Sequence, residues 1–196
     1  MKRSFITGCI LLSVISCHVR AQTKYKADIL ESKINWLGKK VFGKLTGTVR
    51  LLSGEFTISN GMIVNAGFEI DMTSIKNTDL TDESARTLLE THLKSQNFFD
   101  VAHYPKTVFV IDKPVKIEKG MTPITGNLTI KGITWPAQFN TFIVDSNNNK
   151  RVYASVTIDR KKYHLKFGSG SFIDNIEDQT VNDKFYITIS LIAKKQ

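Results

Sequence analysis

Apolar and polar residues alternate along most of the chain after residue 25, as they do in β-strands that bury one face. In residues 62–72 the apolar positions fall on one strand face: Met62, Val64, Ala66, Phe68, Ile70 and Met72. Near the C-terminus Phe185, Ile187 and Ile189 alternate with polar residues in the same way. Because successive side chains of a strand point to opposite sides, both sets are predicted to face the interior.

Further segments show the same alternation over shorter lengths. The additional predicted strands are residues 25–37, 45–59, 106–118, 122–131, 133–145 and 151–159. Residues that tolerate a positive φ angle separate several of them: Asn60-Gly61, Lys119-Gly120, Lys131-Gly132 and residues 146–149. Such short connections require neighbouring strands to run antiparallel, so the chain is predicted to be an all-β meander.

One segment has helical rather than strand periodicity. Between Asp82 and Lys94 the apolar residues recur at helical spacing: Ala85, Leu88, Leu89 and Leu93. Acidic residues in its first turn and a basic residue in its last turn suit the helix dipole. The segment is therefore predicted to be an amphipathic helix whose apolar stripe covers one open end of the sheet.

About eight antiparallel strands can form either a sandwich or a closed barrel. Closure removes the exposed edges, and eight strands are about the smallest number that can enclose a small ligand, so we expect a barrel. The 196 residues, of which 41% are hydrophobic and 23% charged, suit a single globular domain. The expected fold is thus an all-β antiparallel barrel with one helix.

Residues 1–21 have the pattern of a secretory signal peptide. Lys2 and Arg3 precede an apolar run, and Ala21 supplies the small residue that signal peptidase requires. We therefore expect an exported domain of residues 22–196, with its net charge lowered from +9 to +6 because Arg20 leaves as well.

A second form of processing is also open. The residues that end at Cys17 resemble a lipoprotein signal, in which this cysteine would become the lipidated first residue. The Ala21 site is favoured, because Cys17 lies close to the charged Arg20. Cleavage there would leave a mature chain without cysteine.

The chain offers few residue patterns that are typical of catalysis or metal binding. His92, His103 and His164 are far apart and lack the spacing of metal ligands, so neither a metal nor a cofactor is predicted. The serine nucleophile motif Gly-x-Ser-x-Gly is absent. Basic residues are scattered, which argues against nucleic acid as a partner, whereas a transient contact with an anionic membrane surface fits the net charge.

Apolar and aromatic side chains are the remaining candidates for a site. A barrel interior lined by them, without a reactive group, suits a long apolar guest better than it suits a reaction. The candidate lining or mouth residues are Trp36, Phe42, Phe68, Ile70, Phe98, Phe99, Phe167, Phe172, Ile187 and Ile189.

Several stretches combine residues in a way that chance rarely produces. They are DILESKINW at 28–36, FEIDMTSIKNTD at 68–79, HLKSQNFFDVAHYP at 92–105 and TGNLTIKGIT at 125–134. In these stretches the chain resembles the YceI-like family of exported bacterial lipid-binding proteins, from about residue 25 to residue 193. The residues that follow Arg160 are similar to a subgroup from the Bacteroidetes.

The resemblance implies an extended lipocalin-like barrel of eight antiparallel strands in the periplasm. It also implies that the interior accommodates a polyisoprenoid or another long-chain amphiphile, with no catalytic residue to carry over. The expected function is therefore a binding or carrier protein for a polyisoprenoid, a quinone-like molecule or a fatty-acyl lipid, and not an enzyme. Two alternatives stay open: an enzyme acting on such a lipid through Arg160, His164 or Asp100, and a non-binding envelope protein whose barrel is filled by side chains. The oligomeric state is open as well.

Overall fold

The computed structural model describes residues 22–40, 43–166 and 181–196. Within these residues the chain forms ten β-strands, one α-helix and a short 3₁₀ helix. The strands are β1 (Gln22–Ala27), β2 (Lys33–Lys40), β3 (Lys44–Ser59), β4 (Met62–Asn77), β5 (Lys106–Ile111), β6 (Val115–Lys116), β7 (Met121–Ile130), β8 (Ile133–Ser146), β9 (Asn149–Asp159) and β10 (Val181–Lys195). The α-helix α1 spans Glu83–Lys94, and the 3₁₀ helix spans Arg160–Tyr163.

Eight of the strands in the described part of the chain close into an antiparallel barrel. They follow the order β3-β2-β10-β9-β8-β7-β5-β4, and β4 returns to pair with β3. The barrel predicted from the alternation is confirmed, and the sandwich is excluded. Closure satisfies the backbone N–H and C=O groups that open edges would leave unpaired.

The predicted first strand, residues 25–37, is in fact two strands. β1 and β2 run in the same direction and share one position in the wall, between β3 and β10. Between them residues 28–32 leave the sheet, because the Oδ1 atom of Asp28 accepts the N–H groups of Leu30 and Glu31 at 2.9 and 3.0 Å. This local turn competes with the strand ladder for the same donors.

A bulge in β4 changes which residues face inward. Thr57 pairs with Asn65, but Ile58 pairs with Ile63, so β4 contains one extra residue at Val64. Beyond the bulge the inward residue is Ile63, which is buried. The prediction that Met62 and Val64 share the face of Phe68 is therefore wrong, because one extra residue reverses the alternation.

The hairpin turns predicted from sequence are confirmed at three places. Asn60-Gly61, Lys131-Gly132 and Asn147-Asn148 all adopt positive φ angles, between 47° and 72°. Two consecutive residues with positive φ match the right-handed twist of the strands that they connect.

Helix α1 lies at the end of the barrel where β4 ends and β5 begins. It is capped by Asp82, whose Oδ1 accepts the N–H of Ala85 at 2.7 Å. Leu89 and Leu93 are buried against the barrel, whereas Leu88 is exposed and does not belong to the buried stripe. No helix in the described residues is long and apolar enough to cross a membrane.

Candidate functional site

The barrel encloses a cavity of about 210 Å³. All eight barrel strands contribute side chains to its lining, and so does helix α1. On the same measure one ordered water needs only about 10–15 Å³, so the side chains leave a substantial space unfilled. This finding argues against a barrel that is packed solid.

Most of the predicted lining residues surround this cavity. The structure places the following seven in the lining: Trp36, Phe68, Ile70, Phe98, Phe99, Ile187 and Ile189. Phe42, Phe167 and Phe172 lie outside the described residues. Whether any of the ten contacts a ligand stays a prediction.

Other lining residues were not singled out from the sequence. They are aliphatic residues on the inner faces of β3, β7 and β9, namely Leu45, Val49, Leu51, Ile124, Leu128, Val152, Val156 and Ile158. The alternation of apolar and polar residues within these strands is the sequence signal that identifies them.

Two glycines on β3 make room for large rings in the lining. A Cβ atom on Gly47 would lie 2.4 Å from Cζ2 of Trp36, and one on Gly54 would lie 2.5 Å from Cδ1 of Phe68. The Trp36 ring is also fixed at its edge, where Nε1 donates to the carbonyl oxygen of Lys76 at 3.1 Å. Because the glycines have no side chains, both rings approach the β3 backbone closely.

The segment after helix α1 contributes aromatic residues to the helix end of the cavity. Phe98 and Phe99 pack edge to face with ring centroids 4.8 Å apart, and Phe99 meets Phe185 at 6.4 Å. The N–H of Phe99 donates to the carbonyl oxygen of Leu93 at 3.1 Å, and the N–H of Asp100 to that of Ser95 at 2.8 Å. These bonds fold the chain back so that both rings line the cavity.

The polar lining residues of the described chain include a group where β2 and β9 end and β10 begins. This group is Lys40, Arg160 and Asn182. The buried Arg160 donates from Nη1 to the carbonyl oxygen of Leu165 at 3.1 Å, and its Nη2 lies 3.2 Å from Oδ1 of Asp183. The Lys161 ammonium, with a smaller contribution from Arg160, holds the pKa of Asp183 below its usual value. The guanidinium of Arg160 is therefore held by neighbouring protein atoms, and the surface of the cavity itself is almost entirely apolar.

Of the three residues proposed for an enzymatic alternative, Arg160 is among the described residues that line the cavity, whereas Asp100 and His164 are not. Oδ1 of Asp100 lies 2.8 Å from Nδ1 of His103, and His164 is exposed with a φ angle of 52°. Among the described lining residues the ionisable side chains are Lys40 and Arg160, both of them cations. Residues 22–40, 43–166 and 181–196 contain no group of three potential metal ligands close together.

The architecture defines a class, the closed antiparallel barrels that keep an apolar internal cavity. The particular family within this class is identified by sequence: residues 25–193 match the model of the YceI-like domain. The chain belongs to the YceI-like family, as its sequence stretches indicated.

Curated relatives and solved structures agree with this assignment. A UPF0312 protein of Pseudomonas putida strain W619 is 25% identical over 145 residues, which cover 71% of each chain. Protein YceI of Salmonella arizonae is 28% identical over 132 residues, covering 67% of this chain and 62% of that protein.

Two solved structures have the same fold. BcnA of Burkholderia cenocepacia superposes with a TM-score of 0.63 at 19% identity, covering 85% of this chain and 98% of that one. A polyisoprenoid binding domain from Saccharophagus degradans, implicated in plant cell wall breakdown, gives a TM-score of 0.60 at 17% identity, covering 88% of this chain and 98% of that one.

Proposed function

We propose that this protein is a periplasmic binding or carrier protein for a long-chain amphiphile, held in the barrel interior. The candidate ligands are a polyisoprenoid, a quinone-like molecule and a fatty-acyl lipid. The observation that carries the proposal is the unfilled cavity with an apolar lining drawn from all eight barrel strands. The Saccharophagus degradans domain with the same fold, described as polyisoprenoid binding, supports it.

Burial of the chain of such a ligand supplies the binding energy. Each methylene removed from water contributes about 0.8 kcal/mol. A ligand with many carbons therefore gains enough to offset its loss of translational freedom and the ordering of its chain. No reaction is needed for this role.

The surface of the cavity is almost entirely apolar, so it suits the hydrocarbon chain of an amphiphile and not its polar headgroup. The chain would lie among Phe68, Ile187 and their neighbours, with the headgroup outside this lining. The reverse orientation would bury a polar headgroup among apolar side chains, which costs free energy.

The periplasmic address is part of the proposal and rests on the signal-like residues 1–21. N-terminal sequencing of the exported protein tests it, and we expect a chain that begins at Gln22. A diacylated Cys17 at the N-terminus would instead show that the protein is a lipoprotein.

Native mass spectrometry of the mature protein tests the ligand itself. We expect a noncovalently bound lipid, identified after extraction, or uptake of long-chain isoprenoids and acyl lipids by delipidated protein. Substitution Ala154→Trp should abolish retention, because Ala154 lines the cavity and the larger ring would fill it.

Ser155→Trp is the matched control, since Ser155 is the next residue and is exposed. It should retain lipid as the wild type does. A wild-type protein that retains none of the lipids tested, or equal retention by the two variants, would contradict binding in the cavity.

A further inference from the structure

The loop between β1 and β2 exposes two neighbouring apolar residues. Leu30 is 90% exposed and Ile29 is 50% exposed. Neither is needed to cover the barrel, whose wall at this position is completed by β1 and β2 themselves. The exposure of two large aliphatic side chains on one loop does not stabilise the fold, because neither side chain is removed from water. Such neighbouring exposed apolar residues are typical of an interaction surface.

Several bonds hold this loop in one conformation. Besides the two N–H groups that Asp28 accepts through Oδ1, its carbonyl oxygen accepts the N–H of Ser32 at 3.0 Å. The Nζ atom of Lys194 lies 2.5 Å from Oδ2 of Asp28 and 3.2 Å from Oε1 of Glu31. These interactions lower the pKa of Asp28 to about 2, so its carboxylate stays charged at neutral pH. The exposure of Leu30 therefore belongs to a fixed structure.

Other exposed apolar residues lie on the outer wall. Met121 pairs with Phe142 and Phe142 with Tyr153, so the three form one row across β7, β8 and β9, where adjacent strands are about 4.8 Å apart. All three are exposed. Tyr153 pairs with Ser190, which pairs with Lys33, the first residue of β2 after the loop. We name the row together with the two loop residues the apolar band and define it as Ile29, Leu30, Met121, Phe142 and Tyr153.

Basic residues flank the apolar band. Lys33 pairs with Ser190 of β10, Arg151 pairs with Ile192, and Lys26 pairs with Lys194. All three are exposed, and in the described part of the chain none of the three forms a salt bridge. Apolar side chains with cations beside them match the chemistry of an anionic lipid surface.

We propose that the apolar band is the surface by which this protein docks on an anionic phospholipid bilayer. Leu30 and Ile29 enter the interface between headgroups and acyl chains, the aromatic rings lie at headgroup level, and the flanking cations meet lipid phosphates. A second copy of the chain fits less well, since five partly exposed side chains offer a few hundred Å², below the roughly 800 Å² per partner of a stable interface. This inference is independent of what the cavity holds.

Co-sedimentation with vesicles tests the inference on the mature chain. We expect binding to vesicles of phosphatidylcholine with phosphatidylglycerol, weaker binding to pure phosphatidylcholine, and weakening by salt, which screens the flanking charges. Leu30→Glu should reduce the affinity for the anionic vesicles at least about tenfold, because it places a carboxylate where an apolar side chain inserts. Phe142→Ser, within the apolar band but on β8, should reduce it in the same direction.

Leu88→Glu is the matched control, because Leu88 is an exposed leucine on helix α1, away from the apolar band. It should bind vesicles as the wild type does. Circular dichroism and native mass spectrometry of the same variants should show an unchanged fold and unchanged lipid retention, so failure of docking is distinguishable from failure of cavity binding. Absence of vesicle binding by the wild type, or equal loss in Leu30→Glu and Leu88→Glu, would overturn the inference. A dimer in analytical ultracentrifugation that Leu30→Glu dissociates would also overturn it and assign the apolar band to a second copy.

Discussion

His92 lies in the last turn of α1 and is buried, with its ring 5.8 Å from that of Phe98. Burial removes water from the imidazole and lowers its pKa below the usual value of 6.5. The neutral His92 ring therefore packs beside the Phe98 ring and helps to hold it in place. Of the histidines considered as metal ligands from the sequence, His103 is instead largely exposed beside Asp100.

The lowered pKa of His92 predicts a loss of stability in mild acid. The unfolded chain binds the proton more tightly than the folded one, so the stability contribution is complete above pH 6.5 and is lost as the pH falls through the folded-state pKa. We expect the melting temperature of the wild type to fall as the pH drops below about 6.5. His92→Phe should remove most of this slope.

His164→Asn is the control for this prediction, because the His164 side chain is exposed and asparagine tolerates its φ angle of 52°. It should keep the wild-type dependence on pH. If the melting temperature of His92→Phe depends on pH as that of the wild type does, another group causes the loss of stability in acid.

At the scale of secondary-structure elements, side-chain caps decide where strands and helices begin and end. Asp82 starts α1 by accepting the N–H of Ala85, and Asp28 interrupts the first strand by accepting two N–H groups of its own loop. Within β4 the carboxylate of Asp71 accepts the N–H of Thr73 at 3.0 Å where the register with β3 shifts, although the strand continues to Asn77. The alternation of apolar and polar residues alone does not predict these local hydrogen bonds.

Removal of the N-cap of α1 should destabilise the barrel measurably. We expect Asp82→Ala to lower the free energy of unfolding by about 1 kcal/mol, within a range of roughly 0.5–2, because one N–H of the first turn loses its acceptor. Chemical denaturation measures this change. Ser84→Ala, an exposed residue in the same turn, should have a much smaller effect, and equal effects of the two substitutions would refute the role of the cap.

At the scale of the whole molecule, the barrel combines a continuous wall with an interior that its side chains do not fill. Its helix end depends on the packing of Phe99 against Phe98 and Phe185. Phe99 is buried and also lines the cavity, so its ring contributes to the stability of the fold and is placed to contact a ligand in the cavity.

Substitution Phe99→Ala should therefore affect both stability and lipid retention. Loss of the buried ring is expected to cost about 3–5 kcal/mol of stability. Lipid retention, measured by native mass spectrometry well below the melting temperature, should fall as well, because the helix end of the cavity opens.

Leu165→Ala serves as the matched control, since Leu165 is also buried but is not among the residues that line the cavity. It should lower stability by about 2–5 kcal/mol while the folded protein retains lipid. If both variants lose lipid in proportion to their stability, Phe99 has a purely structural role.

How much of the site could be predicted from the sequence differs between residues. Phe68, Ile70, Ile187 and Ile189 follow from alternation within one strand, because the period of two is a local property of the chain. The ion pair of Arg160 with Asp183 could not be predicted in the same way, since the two residues meet only through the pairing of β9 with β10. Ile63 was missed because the bulge at Val64 shows only in the register with β3.

The sequence by itself determined the strand periodicity, the hairpin turns, the capped helix and the membership of the YceI-like family, because local backbone preferences and short stretches of residues specify these features. Only the tertiary structure decided that the interior is open, that Gly47 and Gly54 admit rings, and that Met121, Phe142 and Tyr153 form one row on the outer wall. The same inward residues could fill a narrower barrel completely. The free volume and the outer surface depend on register and closure among strands that are distant in the chain, and these contacts exist only in the folded molecule.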